Sequence, residues 1–185
     1  MDTLNKLRKF YKLKHVERTA PVGNRKESTA EHTWSALILA DHFLSIMEEK
    51  LDRLKVYELI MYHDVVEIEA GDIPVHHEKE RENKKENEKA AAHILKEHMP
   101  NSLKNKFIKL FEEFEDEETR EAKFAKAMDS LDALMHFLDY KEEWKGWDEK
   151  MVHKYHGEKM KDFPETKEAF EKLLIYCRDK GFFNQ

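Results

Sequence analysis

The chain has 185 residues, of which 39% are charged and 40% hydrophobic, with a net charge of −6. That balance gives a real core under a strongly charged surface, and it excludes a disordered chain. The acidic excess argues against a general nucleic-acid binder, whose affinity rests on a basic footprint. With only 5 Gly and 4 Pro, long helices are expected and a turn-rich β fold is not. Cys177 is the only cysteine, so no intrachain disulfide can form, as suits a reducing cytoplasmic setting. No stretch is apolar enough to span a membrane.

In chain order, Leu4 to Lys14 carries Leu4, Leu7, Phe10 and Tyr11 at helical spacing. It is basic but lacks the apolar core of a secretory signal, so it is expected to be a first helix packed on the domain. An irregular stretch is expected from His15 to Glu27, around Pro21 and Gly23. Ser28-Thr29-Ala30-Glu31 is a capping box, in which Ser28 caps the helix start and Glu31 reaches back to it. The helix it opens places Trp34, Leu37, Ile38, Phe43, Leu44 and Met47 on an apolar stripe, with His32 near its first turn.

Leu54 to Glu69 predicts a central helix, apolar nearly all round, that Gly71-Asp72-Ile73-Pro74 terminates. The stretch from His76 to Glu88 is almost wholly polar and reads as a solvated helix or loop, with a lid beside a site as the sharper reading. Helices follow over Ala90–Met99 and Ser102–Phe114, then an acidic connection, Glu115 to Glu118. A long helix is expected from Thr119 to Trp144, with Phe124, Ala127, Met128, Leu131, Leu134, Met135 and Leu138 inward. Gly146 and Gly157 bracket a shorter helical piece, and Pro164 opens a last helix ending near Gly181. One domain over 1–185 is expected, with its core at about 4–140 and helices over 148–181 packed on it.

The chemistry-bearing residues stand out against this apolar background. His63 and Asp64 lie within the buried-type helix, where ionisable groups are costly unless paired or ligated. Glu67 shares a face with His63, one turn on. On a regular helix Asp64 points about 100° away from His63, so the pair can only straddle an ion lying between their directions. His32 follows a capped helix start. Asp129 and Asp132 lie one turn apart in the later apolar run, and either could ligate. Two imidazoles and two carboxylates form a ligand set that holds a divalent metal and leaves positions open. His15, His42, His93, His98, His153 and His156 sit in charged surroundings and read as surface residues, while His76 and His77 pair near the candidate site.

Several segments together resemble the HD-domain phosphohydrolases. They are Glu31-His32, Tyr62-His63-Asp64-Val65-Val66-Glu67, Gly71-Asp72-Ile73-Pro74 and Lys126-Ala127-Met128-Asp129. Within that superfamily the sequence is similar to the 5′-deoxynucleotidases, through Leu13 to Thr19 and the run Arg25-Lys26-Glu27-Ser28-Thr29-Ala30-Glu31-His32. The resemblance implies an all-α helical bundle with one divalent transition metal, cobalt, manganese, zinc or iron, held at its centre by His32, His63, Asp64 and Asp129. It implies Glu67 and Asp72 as catalytic acidic residues and Arg18 as the contact to the substrate phosphate, with Arg25 as a second candidate. The residue after Arg18 is Thr19, where some relatives carry a tryptophan. The implied reaction is hydrolysis of a deoxynucleoside 5′-monophosphate to the nucleoside and phosphate, by a cytoplasmic homodimer that binds neither nucleic-acid polymer nor membrane. Other HD-type phosphohydrolases, acting on cyclic nucleotides, triphosphates or (p)ppGpp, are the nearest rivals. A non-catalytic helical binding protein is the rival from another class.

Overall fold

A computed structural model describes residues 2–183; the expected domain limits at Met1 and Gln185 lie outside them. The first helix, α1 (Asp2–Phe10), runs into a 3₁₀ turn at Tyr11–His15. Two strands follow, β1 (Glu17–Val22) and β2 (Arg25–Ser28), paired antiparallel. This hairpin replaces the irregular segment expected over His15 to Glu27. Its turn is Gly23-Asn24, and Gly23 adopts φ 58°, the left-handed geometry a two-residue hairpin loop requires. The strands are dominated by Glu17, Arg18, Arg25, Lys26 and Glu27, so they carry little apolar alternation.

The capping box forms as expected at the start of α2 (Thr29–Ile46), with Ser28 Oγ accepting from the Glu31 amide. Inward on α2 are His32, Thr33, Ala36, Ala40, Phe43 and Leu44. Trp34 and Ile38, expected inward, are 66% and 55% exposed, because the buried face runs through His32, Ala36, Ala40, Phe43 and Leu44, and Trp34 and Ile38 fall off that line. Asp52 caps α3 (Arg53–Tyr62) by accepting from the Lys55 amide. The helix expected to reach Glu69 stops at Tyr62. A turn over residues 63–66 follows, held by i→i+3 bonds from the Val65 amide to Tyr62 and from the Glu67 amide to Asp64. A last turn, α4 (Glu67–Ala70), ends at Gly71, whose φ of 77° releases the chain.

The polar stretch becomes α5 (Glu78–Arg81) and the start of α6 (Lys84–Glu97). Pro100 then precedes α7 (Asn101–Asp116), and Thr119 caps α8 (Arg120–Phe137). The long helix expected to reach Trp144 breaks at Phe137, and Lys141–Trp144 forms a separate 3₁₀ turn. Between Gly146 and Gly157 lie α9 (Glu149–Val152) and a π turn over His153–Gly157, followed by α10 (Glu158–Met160). Pro164 opens α11 (Pro164–Asp179) at the first-turn position that suits its missing N–H.

The described residues form an all-α bundle with one small hairpin. The helices α2, α3 and α8 pack on one another, α7 packs on α3 and α8, and α10 and α11 pack on α8. One hydrophobic cluster runs from Leu13 to Phe182. Phe107, Phe124 and Phe163 are fully buried in it, each contributing about 1.5–3 kcal/mol of burial free energy. Met135, expected inward, is 44% exposed. No described helix is long and apolar enough to cross a membrane.

Candidate metal centre

Four side chains from three elements converge where α2, α8 and the turn after α3 meet. His32 comes from α2, His63 and Asp64 from the turn, and Asp129 from α8. His32 Nε2 lies 3.1 Å from Asp129 Oδ1 and 3.7 Å from Asp64 Oδ2. His63 Nε2 lies 2.9 Å from Asp64 Oδ2 and 3.8 Å from Asp129 Oδ1. For ligand bonds of about 2.1 Å, neighbouring donors on a tetrahedral or octahedral ion stand about 3.0–3.4 Å apart. The observed separations bracket that range.

The remaining imidazole nitrogens are tied down. His32 Nδ1 donates to Asp132 Oδ2 at 2.7 Å, and His63 Nδ1 donates to the Ile60 carbonyl at 2.6 Å. This leaves each Nε2 as the nitrogen that faces the cluster, the arrangement that orients metal-binding histidines. His63 Nε2 and Asp64 Oδ2 are buried and make no hydrogen bond within the described residues. Orphaned polar atoms at such depth are rare and call for a ligand. His32, His63 and Asp129 meet the spacing of an ion site on their own. The residues present therefore fit a divalent metal with a mixed nitrogen and oxygen set.

The turn at residues 63–66 explains how adjacent residues can share one target. In a regular helix the Ile60 carbonyl would accept from the Asp64 amide. The His63 imidazole takes that carbonyl instead. The backbone at His63 stays near helical torsions, yet His63 Nε2 and Asp64 Oδ2 come within 2.9 Å of each other, so the two adjacent side chains reach one point. Asp132 serves as the orienting carboxylate of His32 and also accepts from Ser35 Oγ at 3.0 Å. Of the two acidic candidates on α8, Asp129 thus faces the cluster and Asp132 stands behind it.

The electrostatics favour positive charge at this point. Burial and Arg18 oppose protonation of His32, but Asp129 and Asp132 outweigh them and raise it to about 10. Burial works against ionised Asp64 too, yet the His63 imidazole holds that carboxylate well below its usual range. Asp129 is likewise held low, by its hydrogen bond to His32 and the charge of His63, against burial.

Glu67 and Asp72 differ from the ligands. Burial first, and then the charges of Asp64 and Asp72, push Glu67 well above the ordinary glutamate value. Its Oε2 accepts from Thr29 Oγ1 at 2.9 Å. Asp72 is raised by burial and Asp64, with Arg18 opposing. Both line a cavity of about 550 Å³ that has His63, Asp64 and Asp129 in its wall. Arg18, on β1, lines it as well, 3.2 Å from Glu27, 3.6 Å from Asp64 and 3.9 Å from Asp72. Burial opposes its charge, but Asp64, Asp72, Asp129 and Glu67 outweigh that cost and keep the guanidinium charged.

Arg25 is the exception among the expected site residues. It does not line the cavity; it pairs with Glu31, its Nη1 2.8 Å from Oε2, on the outer side of the capping box. The hairpin register sends it there, since Arg25 pairs across the strands with Val22 near the turn. His156, expected at the surface, is buried and shares a 2.7 Å hydrogen bond with Ser130. Burial, then Lys159, lowers it to about 3, so it is neutral. Its surroundings in sequence are charged, but the π turn rotates it inward. His15, His42, His93, His98 and His153 are exposed as expected.

The polar stretch borders the cavity through His76, Arg81, Lys84 and Glu88. Glu78 accepts from Tyr155 Oη at 2.9 Å and from Lys154 Nζ at 2.6 Å, tying α5 to the π turn. Trp147 lines the cavity, edge-on to His76 with centroids 5.6 Å apart.

A family model for the HD domain matches residues 10–170. The chain belongs to the HD-domain family. In structure it is similar to a predicted metal-dependent phosphohydrolase from Magnetospirillum magnetotacticum MS-1, with a TM-score of 0.84 and 25% identity over 98% of this chain and 94% of that one. An HD-domain phosphohydrolase from Listeria innocua shares the fold, with a TM-score of 0.63 and 18% identity over 97% and 88% of the two chains. So does a conserved hypothetical protein from Pyrococcus furiosus, with a TM-score of 0.64 and 23% identity over 92% and 98%. A search of curated proteins found no match.

Proposed function

We propose that this protein is a metal-dependent phosphohydrolase that removes the 5′-phosphate from deoxynucleoside monophosphates. The observation that carries the reading is the pair of imidazoles, each with its outer nitrogen tied and Nε2 turned to Asp64 and Asp129 beside a cavity that also holds Arg18. His32, His63, Asp64 and Asp129 would hold one divalent ion, and cobalt, manganese, zinc or iron suits two nitrogens and two oxygens. When bound, the ion supplies Lewis-acid polarisation of the phosphate and lowers the pKa of water.

The chain's own groups perform the remaining work. The Arg18 guanidinium binds phosphate oxygens, for which its fork of donors is suited. Glu67, buried and more basic than an ordinary carboxylate, orients the attacking water and takes its proton. Asp72, also raised, gives a proton to the 5′-oxygen as the P–O bond breaks. The products are a deoxynucleoside and inorganic phosphate. Leu134, Phe137, Trp144 and Trp147 form an apolar part of the cavity wall, and Trp147 gives the base a flat face to stack on. A single-domain cytoplasmic homodimer acting on free nucleotides completes this reading.

Phosphate release from a panel of deoxy- and ribonucleoside monophosphates, with each metal added in turn, tests it. Turnover of deoxynucleotides above ribonucleotides is expected. Absence of turnover for every deoxynucleotide in every metal refutes the activity.

A further inference from the structure

The cavity holds several cations, and they are not equivalent. Lys84 is paired with Glu88 at 2.5 Å, and Lys126 with Glu115 at 2.7 Å. Arg18 has three carboxylates within 4.0 Å. Lys159, on α10, lines the same cavity. Among the described residues no carboxylate lies within salt-bridge distance of it, and it makes no side-chain hydrogen bond. A fully exposed lysine without a partner is ordinary, but Lys159 is only partly exposed. The residues around it, His156 and Met160, are 6% and 1% exposed, and Phe163 is fully buried.

The backbone that carries Lys159 is held by the turn before it. The π turn at His153–Gly157 immediately precedes α10. Insertions of this kind re-aim side chains and recur at functional sites. Here the turn places His156 against Ser130, the residue next to Asp129. The α10 segment is therefore clamped to α8 beside a candidate ligand. The charge of Asp129 acts on both Arg18 and Lys159, and the two cations line the same cavity from different elements. Burial lowers the basicity of Lys159; Asp129 and Glu117 oppose that effect, while Lys126 and Arg81 add to it. A partly buried ammonium near other cations, with no carboxylate in direct contact, is costly, and an anionic ligand lowers that cost.

We propose that Lys159 is a second phosphate-binding residue, engaging the substrate's phosphoryl oxygens from the Asp129 side of the cavity while Arg18 engages them from the hairpin. The proposal rests on the phosphohydrolase reading above. It assigns Lys159 to substrate binding, with a phosphomonoester dianion as the ligand class.

The test titrates inorganic phosphate into the metal-loaded protein and into the Lys159→Met and Lys159→Arg variants, following heat or a melting shift. Metal content is measured alongside. Lys159→Met should weaken phosphate binding by about tenfold or more, as expected for a lost charge-assisted contact. Lys159→Arg should restore most of it, and metal content should not change. Without phosphate, Lys159→Met should melt at a higher temperature than the parent, because a partly buried charge with no direct partner is gone; a purely structural lysine would give the opposite shift. In kinetics KM for the monophosphate should rise more than kcat falls. Should Lys159→Met fold poorly, Lys159→Gln replaces it under the same criteria. Phosphate binding that the neutral variants leave unchanged overturns the role of Lys159 alone. A parent protein that binds no phosphate and releases none from any monoester overturns the phosphohydrolase reading with it.

Discussion

Asp132 gives the sharpest test of how the metal centre is built. It is 4% exposed and accepts from His32 Nδ1 at 2.7 Å. Replacing it by alanine removes a charge-assisted hydrogen bond from a buried imidazole, a loss of about 1.5–3 kcal/mol. Ser35 Oγ also loses a partner, but it retains the Glu31 and His32 carbonyls at 3.2 and 3.0 Å, so it adds little. The imidazole then loses its orientation and part of its basicity. Metal affinity should fall by about 10–100-fold, in line with the loss of an outer partner of a ligand. Asp129→Ala, which removes a donor, should strip the metal altogether. Competition with a chromophoric chelator measures both. If Asp132→Ala binds metal as tightly as the parent, or if the two variants prove interchangeable, the division between ligand and orienting carboxylate is wrong.

Other expectations follow from the same geometry. Glu67→Gln should retain metal, lose hydrolysis and, in the metal-free protein at neutral pH, melt at a higher temperature than the parent. The folded-state value of Glu67 is raised by burial and by Asp64 and Asp72. Stability is therefore full below the unfolded glutamate value and is lost as pH rises towards the folded one. Glutamine removes that loss, and calorimetric scans across pH would show its absence; equal pH slopes in both proteins would contradict the assignment. Arg18→Ala should raise KM for the monophosphate at least tenfold, as one charged phosphate contact disappears. Arg25→Ala should leave both kinetic constants unchanged, since its partner is Glu31 on the outer face; a large kinetic effect would place Arg25 in the site after all.

The legible part of the sequence was the part governed by burial. His63, Asp64 and Asp129 stood out because ionisable residues interrupt apolar helices, and the capping box marked the helix that carries His32. The hairpin was less legible because its strands are charged and lack alternation; the Gly23-Asn24 pair was its one available signal. The break at residues 63–66 had no glycine or proline to announce it. It accompanies a side chain taking the backbone carbonyl three residues back, which no sequence pattern marks. The burial of His156 was hidden for a related reason, because a π turn shifts the helical phase by which its charged neighbours are read. Asp129 and Asp132 share one face by spacing, and only the position of His32 between them tells ligand from support.

The donors at the metal centre have a consequence for the chain as a whole. His32, His63 and Asp129 belong to segments far apart in sequence, and an ion held by all of them closes two long loops at once. It acts as a reversible cross-link through the middle of the bundle, where disulfides are not available to a chain with one cysteine. An ion that binds the folded chain alone adds about 1.4 kcal/mol of stability for each tenfold rise in its free concentration above Kd. The persistence of the fold and the readiness of the catalyst are then set by one variable, the free metal around it.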